Sequence, residues 1–352
     1  REFLWNEGHH VYADENGLNE DRKAILDIYS KFLKDYMALP GLIGKKTSKE
    51  KFAGAKDTYT IELVIPNGKA IQGPDYHDDG QNFAKAYDIK FLDKDDKMQY
   101  AYQSTYAITT RMLGVMFAVH SDNKGLVIPP RLAENKIVIV PILFGKKNRD
   151  ILDESEKLKK ELNEFNPILD SREAYSPGWK FNEWELKGIP LRIELGPKDL
   201  ENKSVVVAKR IGGKINVKMN DLKKQIPRLL DEIHDELYKR AEKLMKDSIT
   251  TIDSFEDISK AVENKKIALT PLCEKEECED WIKSKTNGAK TLNMPLKQDV
   301  KGKKCKTAIA TSAYASTLNL VVKKFKLKKY FDAYVTAEQV KVSKPNPQVY
   351  LT

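Results

Sequence analysis

Residues 175–199 read YSPGWKFNEWELKGIPLRIELGPKD, and they set the fold class for the middle of the chain. Ser176 offers a hydroxyl to the first free N–H groups of a helix. Pro177 suits the first helical position because it has no N–H to leave unpaired. Glu183 and Lys187 stand four apart, as a surface ion pair on one helix face requires. After this helix, LRIELG reads as a buried strand. Upstream, NKIVIVPILF (135–144) is another apolar strand, followed by a charged helix over 150–165 and a short strand over 167–170. Downstream, SVVVAKR is a further buried strand, and a long amphipathic helix is expected over 220–246. Strands alternating with helices predict an α/β domain built on a parallel sheet.

The flanks have a different texture. Residues 1–132 are richer in strands: TIELVIP, MQYAYQSTYAITT and GVMFAVH alternate or run apolar. One clear helix lies over 19–39, where Ile25, Ile28, Tyr29, Phe32, Leu33 and Tyr36 recur at helical spacing. A mainly antiparallel sheet is expected there. From Thr251 onward comes a smaller, lysine-rich α/β segment.

A chain of 352 residues carries two or three domains, and 41% apolar residues suffice for their cores. The formal charge of +9 favours an anionic partner. Three cysteines exclude a disulfide framework and fit a reducing compartment, so a cytoplasmic location is expected. No apolar run spans a membrane. The chain begins at Arg1, within what reads as a strand already under way, and an N-terminal truncation is expected.

Three clusters carry chemistry. In REFLWNEGHH, strand alternation places Phe3, Trp5, Glu7 and His9 on one face, which suits a flat ligand beside a small cation. The plainer alternative buries Phe3 and Trp5 and leaves Glu7 and His9 on the surface. In IQGPDYHDDGQNF, Gly73, Pro74 and Gly80 mark a tight loop crowded with Gln72, Asp75, His77, Asp78 and Asp79; it is either a ligand-binding loop or an acidic turn. In AITTRMLGVM, Arg111 lies in an apolar stretch, as a buried ion pair or as a grip for phosphate or base.

Taken in order, REFLWNEGHH, KFAGA, IQGPDYH with GQNFAKAYDIKF, YAITTR, GLVIPPR, the 175–199 string and C-x4-CEDWIK resemble the prolyl-tRNA synthetases of the archaeal/eukaryotic type, a class II family. The resemblance runs from residue 1 to about 305. It implies a partial antiparallel catalytic domain (1–134), a parallel-sheet anticodon-binding domain (135–246) and a C-terminal zinc-binding domain (247–305). It implies that Phe3 stacks on adenine, that Gln72, Thr109 and Arg111 hold ATP, and that Arg111 is the catalytic arginine of motif 3. Trp5, Glu7, His9, Phe52 and His77 match positions around the proline. The implied reaction is ATP-dependent activation of proline with Mg²⁺, then transfer to tRNA-Pro. The family's homodimer is in doubt, because the segments that build its interface and grip the phosphates precede residue 1. Asp75 and Tyr76 replace the family's usual Thr and Ser, and Asp78 replaces a His or aromatic.

Cys273, Cys278 and Cys305 match three zinc ligands of the family, but no cysteine follows to complete the four of a closed site, so Zn²⁺ binding is in doubt and three idle thiols are the alternative. Beyond Cys305, KTAIATSAYASTLNLVV through SKPNPQVYL resembles a fragment of haloacid dehalogenase-type phosphohydrolases (306–352), with Thr311 and Lys344 at motif positions. A basic amphipathic helix, TLNLVVKKFKLKKYF, is the competing reading. The expected function is proline–tRNA ligation. A non-catalytic tRNA-binding module is the alternative, and a phosphohydrolase a more distant one.

Overall fold

The structure, a computed structural model, describes residues 3–143, 148–252, 254–272, 274–296, 308–310, 315–324, 333–335 and 339. Two compact units are present: residues Arg1–Leu269 with Glu279–Leu296, and Thr270–Cys278 with Lys297–Thr352.

The first unit opens with β1 (Trp5–Tyr12), α1 (Glu15–Asp35), β2 (Leu42–Lys45), β3 (Asp57–Val64) and β4 (Ala70–Gly80). Then come α2 (Asn82–Ala86), the β5 (Lys90–Leu92) and β6 (Met98–Tyr100) hairpin, β7 (Tyr102–Thr109) and α3 (Arg111–His120). α1 starts four residues earlier than the apolar spacing suggests, because the Asp14 side chain caps it by accepting from Gly17 N at 2.9 Å. Its buried stripe of Leu18, Ile25, Leu26, Tyr29 and Leu33 covers one face of an antiparallel sheet in the order β1-β7-β4-β3-β2.

Two expectations fail here. GVMFAVH belongs to α3, not to a strand. Met112, Val115, Met116 and His120 are its buried positions, a helical spacing that a short apolar run conceals. The run from Ile71 to Gly80 is not a loop but an inner strand, β4. Gly73 and Pro74 sit where the β3–β4 register shifts between Thr60 and Glu62. A bulge is where a strand tolerates proline, since no ladder N–H is demanded of it. A Cβ on Gly73 would meet Ile61 O at 2.6 Å.

The second sheet uses β8 (Ile137–Pro141), α4 (Asn148–Glu161), β9 (Ile168–Leu169), α5 (Pro177–Lys187), β10 (Leu191–Leu195), α6 (Pro197–Glu201), β11 (Ser204–Lys209), β12 (Lys214–Lys218) and α7 (Leu222–Ser248). Its order is β12-β11-β10-β8-β9. β9, β8 and β10 run parallel, as expected, but β11 and β12 join antiparallel, so the sheet is mixed rather than parallel. The cause is the hairpin at Gly212 and Gly213, whose φ of 105° and 88° glycine alone adopts readily. Ile137, Ile139, Leu191, Ile193, Val205 and Val207 pack against Ile151 and Leu158 of α4 and Ile226, Leu229 and Ile233 of α7.

The sheets are tied together. Arg210 clasps Asp122 through two hydrogen bonds, 2.6 and 2.8 Å, and His234 Nε2 pairs with Lys34 O at 3.0 Å. β13 (Ile249–Thr251), α8 (Phe255–Glu263) and β14 (Ile267–Leu269) form a small parallel unit. α9 (Glu276–Lys285) leads to β15 (Met294–Pro295), which pairs antiparallel with β2 and makes the first sheet six-stranded. Buried Glu279 accepts from Thr47 Oγ1 at 2.9 Å and Thr291 Oγ1 at 2.5 Å, anchoring this return.

In the second unit, β16 (Ala308–Ala310) and β17 (Ala333–Val335) run parallel, with α10 (Ala315–Lys324) between them in sequence. Thr311 and Lys344 lie outside the described residues.

Candidate nucleotide and amino-acid site

Because strand residues alternate, the face opposite α1 presents a separate set of side chains. Tyr76, Tyr106 and His10 turn toward α1: Tyr76 Oη donates to Leu18 O and to Asp21, and His10 pairs with Asp21 at 2.9 Å. Their neighbours therefore face outward, and the register sets them in two rows across four strands. One row reads Glu7, Ala107, Asp75, Thr60; the next reads His9, Thr105, His77, Thr58. Trp5 lies opposite Thr109 at the end of β1.

Hydrogen bonds within this face orient both imidazoles. His77 Nδ1 pairs with Thr58 Oγ1 at 2.9 Å, and the Phe52 ring lies 5.0 Å from the His77 ring. His9 Nδ1 pairs with Thr105 Oγ1 at 3.2 Å, while that hydroxyl donates to Asp79 at 2.9 Å. Glu7 is 3.7 Å from His9, and Asp75 is 3.8 Å from His77. Burial pushes the carboxyls of Asp75, Asp78 and Asp79 up, against the opposing pull of neighbours such as His77, Thr105 and Lys56. One oxygen each of Asp75 and Asp79 is buried without a protein partner.

At the edge of this face, the site residues taken for ATP meet in part. Arg111 is exposed at the first position of α3, not buried in an ion pair, because the apolar run around it turns into a helix there. Its Nη1 donates to Gln72 O at 3.2 Å, and its N–H donates to Thr109 Oγ1 at 3.2 Å. Phe3 and Trp5 are 75% and 58% exposed, which overturns the core reading of both rings. The structure therefore brings together Gln72, Thr109 and Arg111, and separately Phe52 with His77 and Glu7 with His9. Among the described residues, no side-chain hydrogen bond or ring contact joins Phe3 or Trp5 to these groups, though Trp5 pairs with Thr109 across the ladder.

Cys278 is half-buried in α9, and Cys273 and Cys305 lie outside the described residues. Among the described residues, no group of three or more His, Cys, Asp or Glu stands close enough to hold a metal.

The second sheet carries a polar cluster that the sequence reading did not single out. Arg192, on β10, donates to Glu194 at 2.9 and 3.0 Å and to Glu185 at 3.2 Å, with its guanidinium 4.1 Å from the Phe181 ring. The available signal was a charged pair two apart inside an apolar strand, which must be matched by partners when buried.

Residues 136–229 match the anticodon binding domain family. An antiparallel sheet with an open polar face precedes this domain in the chain. Residues 255–321 match the family described as prolyl-tRNA synthetase, C-terminal. The chain is 40% identical over 288 residues to a proline–tRNA ligase of Natranaerobius thermophilus, covering 81% of this chain and 60% of that one. It is 40% identical over 306 residues to proline–tRNA ligase 2 of Bacillus thuringiensis (86% and 64%) and 39% identical to a proline–tRNA ligase of Clostridium botulinum (86% and 63%). Over most of its length the chain is thus similar to prolyl-tRNA synthetases. It spans about three-fifths of the length of the relatives it matches. Residues 295–352 match the haloacid dehalogenase-like hydrolase family, overlapping the preceding match over 295–321. Among the described residues no helix is long and apolar enough to cross a membrane.

Proposed function

We propose that the open face of the first sheet binds proline and ATP for proline–tRNA ligation. The observation that carries this reading is the pair of rows that places Glu7, His9, Asp75 and His77 on one face, with Arg111 at its edge. Phe52, Trp5 and the two imidazoles wall a small ring, and Glu7 supplies a carboxylate for its ammonium. Phe3 and Gln72 would take the adenine, with Thr109 fixing the backbone that aims Arg111 at the phosphates. A proline carboxylate oxygen attacks the α-phosphorus, the bond to the β-phosphate oxygen breaks, and pyrophosphate leaves. Arg111 offsets the charge that builds on the phosphates, and a ribose hydroxyl of the 3′ adenosine of tRNA-Pro then takes the prolyl group as the acyl–phosphate bond breaks and AMP leaves. Asp75, with its unpartnered oxygen, is suited to a hard cation, so it would hold the Mg²⁺ that neutralises phosphate charge.

The domain limits that accompany this reading are 1–134 for the partial catalytic domain, 135–246 for anticodon binding, 247–305 for the C-terminal domain and 306–352 for the phosphohydrolase-like fragment. A non-hydrolysable prolyl-adenylate analogue, titrated calorimetrically into the chain, tests the site. Binding should weaken at least tenfold in both Arg111→Ala and His77→Ala. Affinity unchanged from the unmodified chain in both variants, or no binding to the unmodified chain, would overturn the assignment.

The second reading is a tRNA-binding module without chemistry. Asp75 and Asp79 favour it, since carboxylates on this face repel phosphate wherever no cation intervenes. Proline-dependent exchange of pyrophosphate into ATP separates the two readings.

A further inference from the structure

Across the start of α5, Tyr175 and Trp179 stack face to face, with centroids 4.0 Å apart and planes 18° from parallel. Each ring hides one face against the other, yet Tyr175 is 42% exposed and Trp179 44% exposed. A pair serving the core would be covered on both sides; this pair leaves broad π surface in water. The Arg172 guanidinium lies 5.0 Å from the Tyr175 centroid and 5.3 Å from that of Trp179.

The arginine is fixed in advance. Its Nε and Nη2 donate to the two oxygens of buried Asp170, at 2.8 and 2.7 Å, and Nη2 also donates to Glu183 at 2.5 Å. Asp170 in turn accepts from Trp184 Nε1 at 2.8 Å. Ser176 caps the helix at Trp179 N, which holds the indole at the third helical position. Two aromatic rings and a planar cation are thus presented on a rigid helix start, with little side-chain freedom left to lose on binding.

We propose that Tyr175 and Trp179, with Arg172 beside them, form a stacking platform for an unpaired base of single-stranded RNA. The platform lies inside the segment that matches the anticodon binding domain family, and it rests on the tRNA-binding part of the function proposed above. Flat π surface with a guanidinium alongside suits a nucleobase, and any base presents a π face. The occupant is therefore a loop base of the tRNA, held by stacking rather than by reading its edge. A protein partner would instead call for an apolar rim, whereas here the charged Arg172, itself bonded to Glu183, lies beside the rings.

The test uses the full chain and an anticodon stem-loop RNA of proline tRNA, with 2-aminopurine placed at each loop position in turn. One position should be quenched on binding, and the quench should be lost in Trp179→Ala together with a roughly five- to 150-fold weaker affinity. Trp179→Phe, which keeps a ring and the helix start, should retain affinity within about threefold while losing the change in tryptophan emission. If Trp179→Ala fails to fold, the 2-aminopurine scan on the unmodified chain and Trp179→Phe still decide. RNA binding with no loop base quenched, or with Trp179→Ala at full affinity, overturns the platform and leaves the tRNA-binding reading intact. If no stem-loop RNA binds, both fall.

Discussion

Asp170→Asn should destabilise the second sheet by about 2–4 kcal/mol at neutral pH. Asp170 is 3% exposed and accepts from the Arg172 side chain twice, from the Arg172 N–H and from the Trp184 indole, with buried Lys180 Nζ 3.9 Å away. Burial alone would push its carboxyl up, but these donors outweigh it and hold it at about 2, against an ordinary 3.8. That depression corresponds to about 2.4 kcal/mol, at 1.36 kcal/mol per unit. Breaking a buried ion pair from one side costs about 3–5 kcal/mol, and the figure is trimmed here because Arg172 keeps Glu183 and Lys180 keeps the Asp170 carbonyl at 3.1 Å. In a segment of this size the loss lowers the melting temperature by roughly 10–20 °C.

The pH dependence separates this account from a simple packing defect. A folded-state value below the unfolded one means the stabilisation is complete above about pH 4 and is lost as pH falls toward about 2. Thermal unfolding followed by tryptophan emission should therefore show a gap between wild type and Asp170→Asn that is widest near pH 7 and narrows between about pH 4 and pH 2. A variant within about 0.5 kcal/mol of wild type at pH 7, or a gap that does not change with pH, refutes the reasoning.

Asp79→Asn should raise stability by about 1 kcal/mol at neutral pH, because an unpartnered carboxylate oxygen is then no longer kept charged and buried. Burial holds Asp79 above its ordinary value, so the wild type recovers as pH falls through that raised value, and urea denaturation should show the advantage fading toward about pH 4. Gly188→Ala should cost about 1–3 kcal/mol in a thermal melt: its φ is 79°, and a Cβ there would meet Leu126 O at 2.7 Å. Glu279→Ala should strand the Thr47 and Thr291 hydroxyls, lose about 1–3 kcal/mol, and speed hydrogen exchange at Gly44 and Lys45 of β2 while β10 amides stay protected.

How much of this was legible in the sequence depended on how local the cause was. The start of α5 was legible to the residue, since Ser176, Pro177 and the Glu183–Lys187 pair act within one helix. β8 and β10 were legible as apolar runs that only a buried strand position explains. α3 was not, because a short apolar run containing valine and phenylalanine fits a strand or a helix equally, and Leu113, which stays exposed, hid the stripe. β4 was obscured by Gly73 and Pro74, turn residues that here serve a bulge. The Gly212–Gly213 signal that makes the second sheet mixed was present and went unused. Within the site, alternation placed Trp5, Glu7 and His9 on one face, but meetings across strands, such as Thr58 with His77 or Gln72 with Arg111, depend on strand order and register. The family resemblance joined Gln72 with Arg111 in advance, but it did not name Thr58.

That register is held from behind the site. Asp21 of α1 accepts from Ser104 Oγ at 2.8 Å and Tyr76 Oη at 3.0 Å, and pairs with His10, whose other nitrogen meets Tyr106 Oη at 2.9 Å. One buried carboxylate thus fixes β1, β7 and β4 relative to the helix, and these donors keep it below its ordinary value although burial alone would raise it. A slip of β1 by one residue that set Val11 opposite Ser104 in place of His10 would turn Glu7 away from Asp75. It would also leave Asp21 buried without its imidazole, a cost that the hydrophobic contacts of α1, indifferent to register, cannot impose. The polar cluster on the closed face therefore sets which side chains the open face presents, and the chemistry in front is specified by the hydrogen bonds behind.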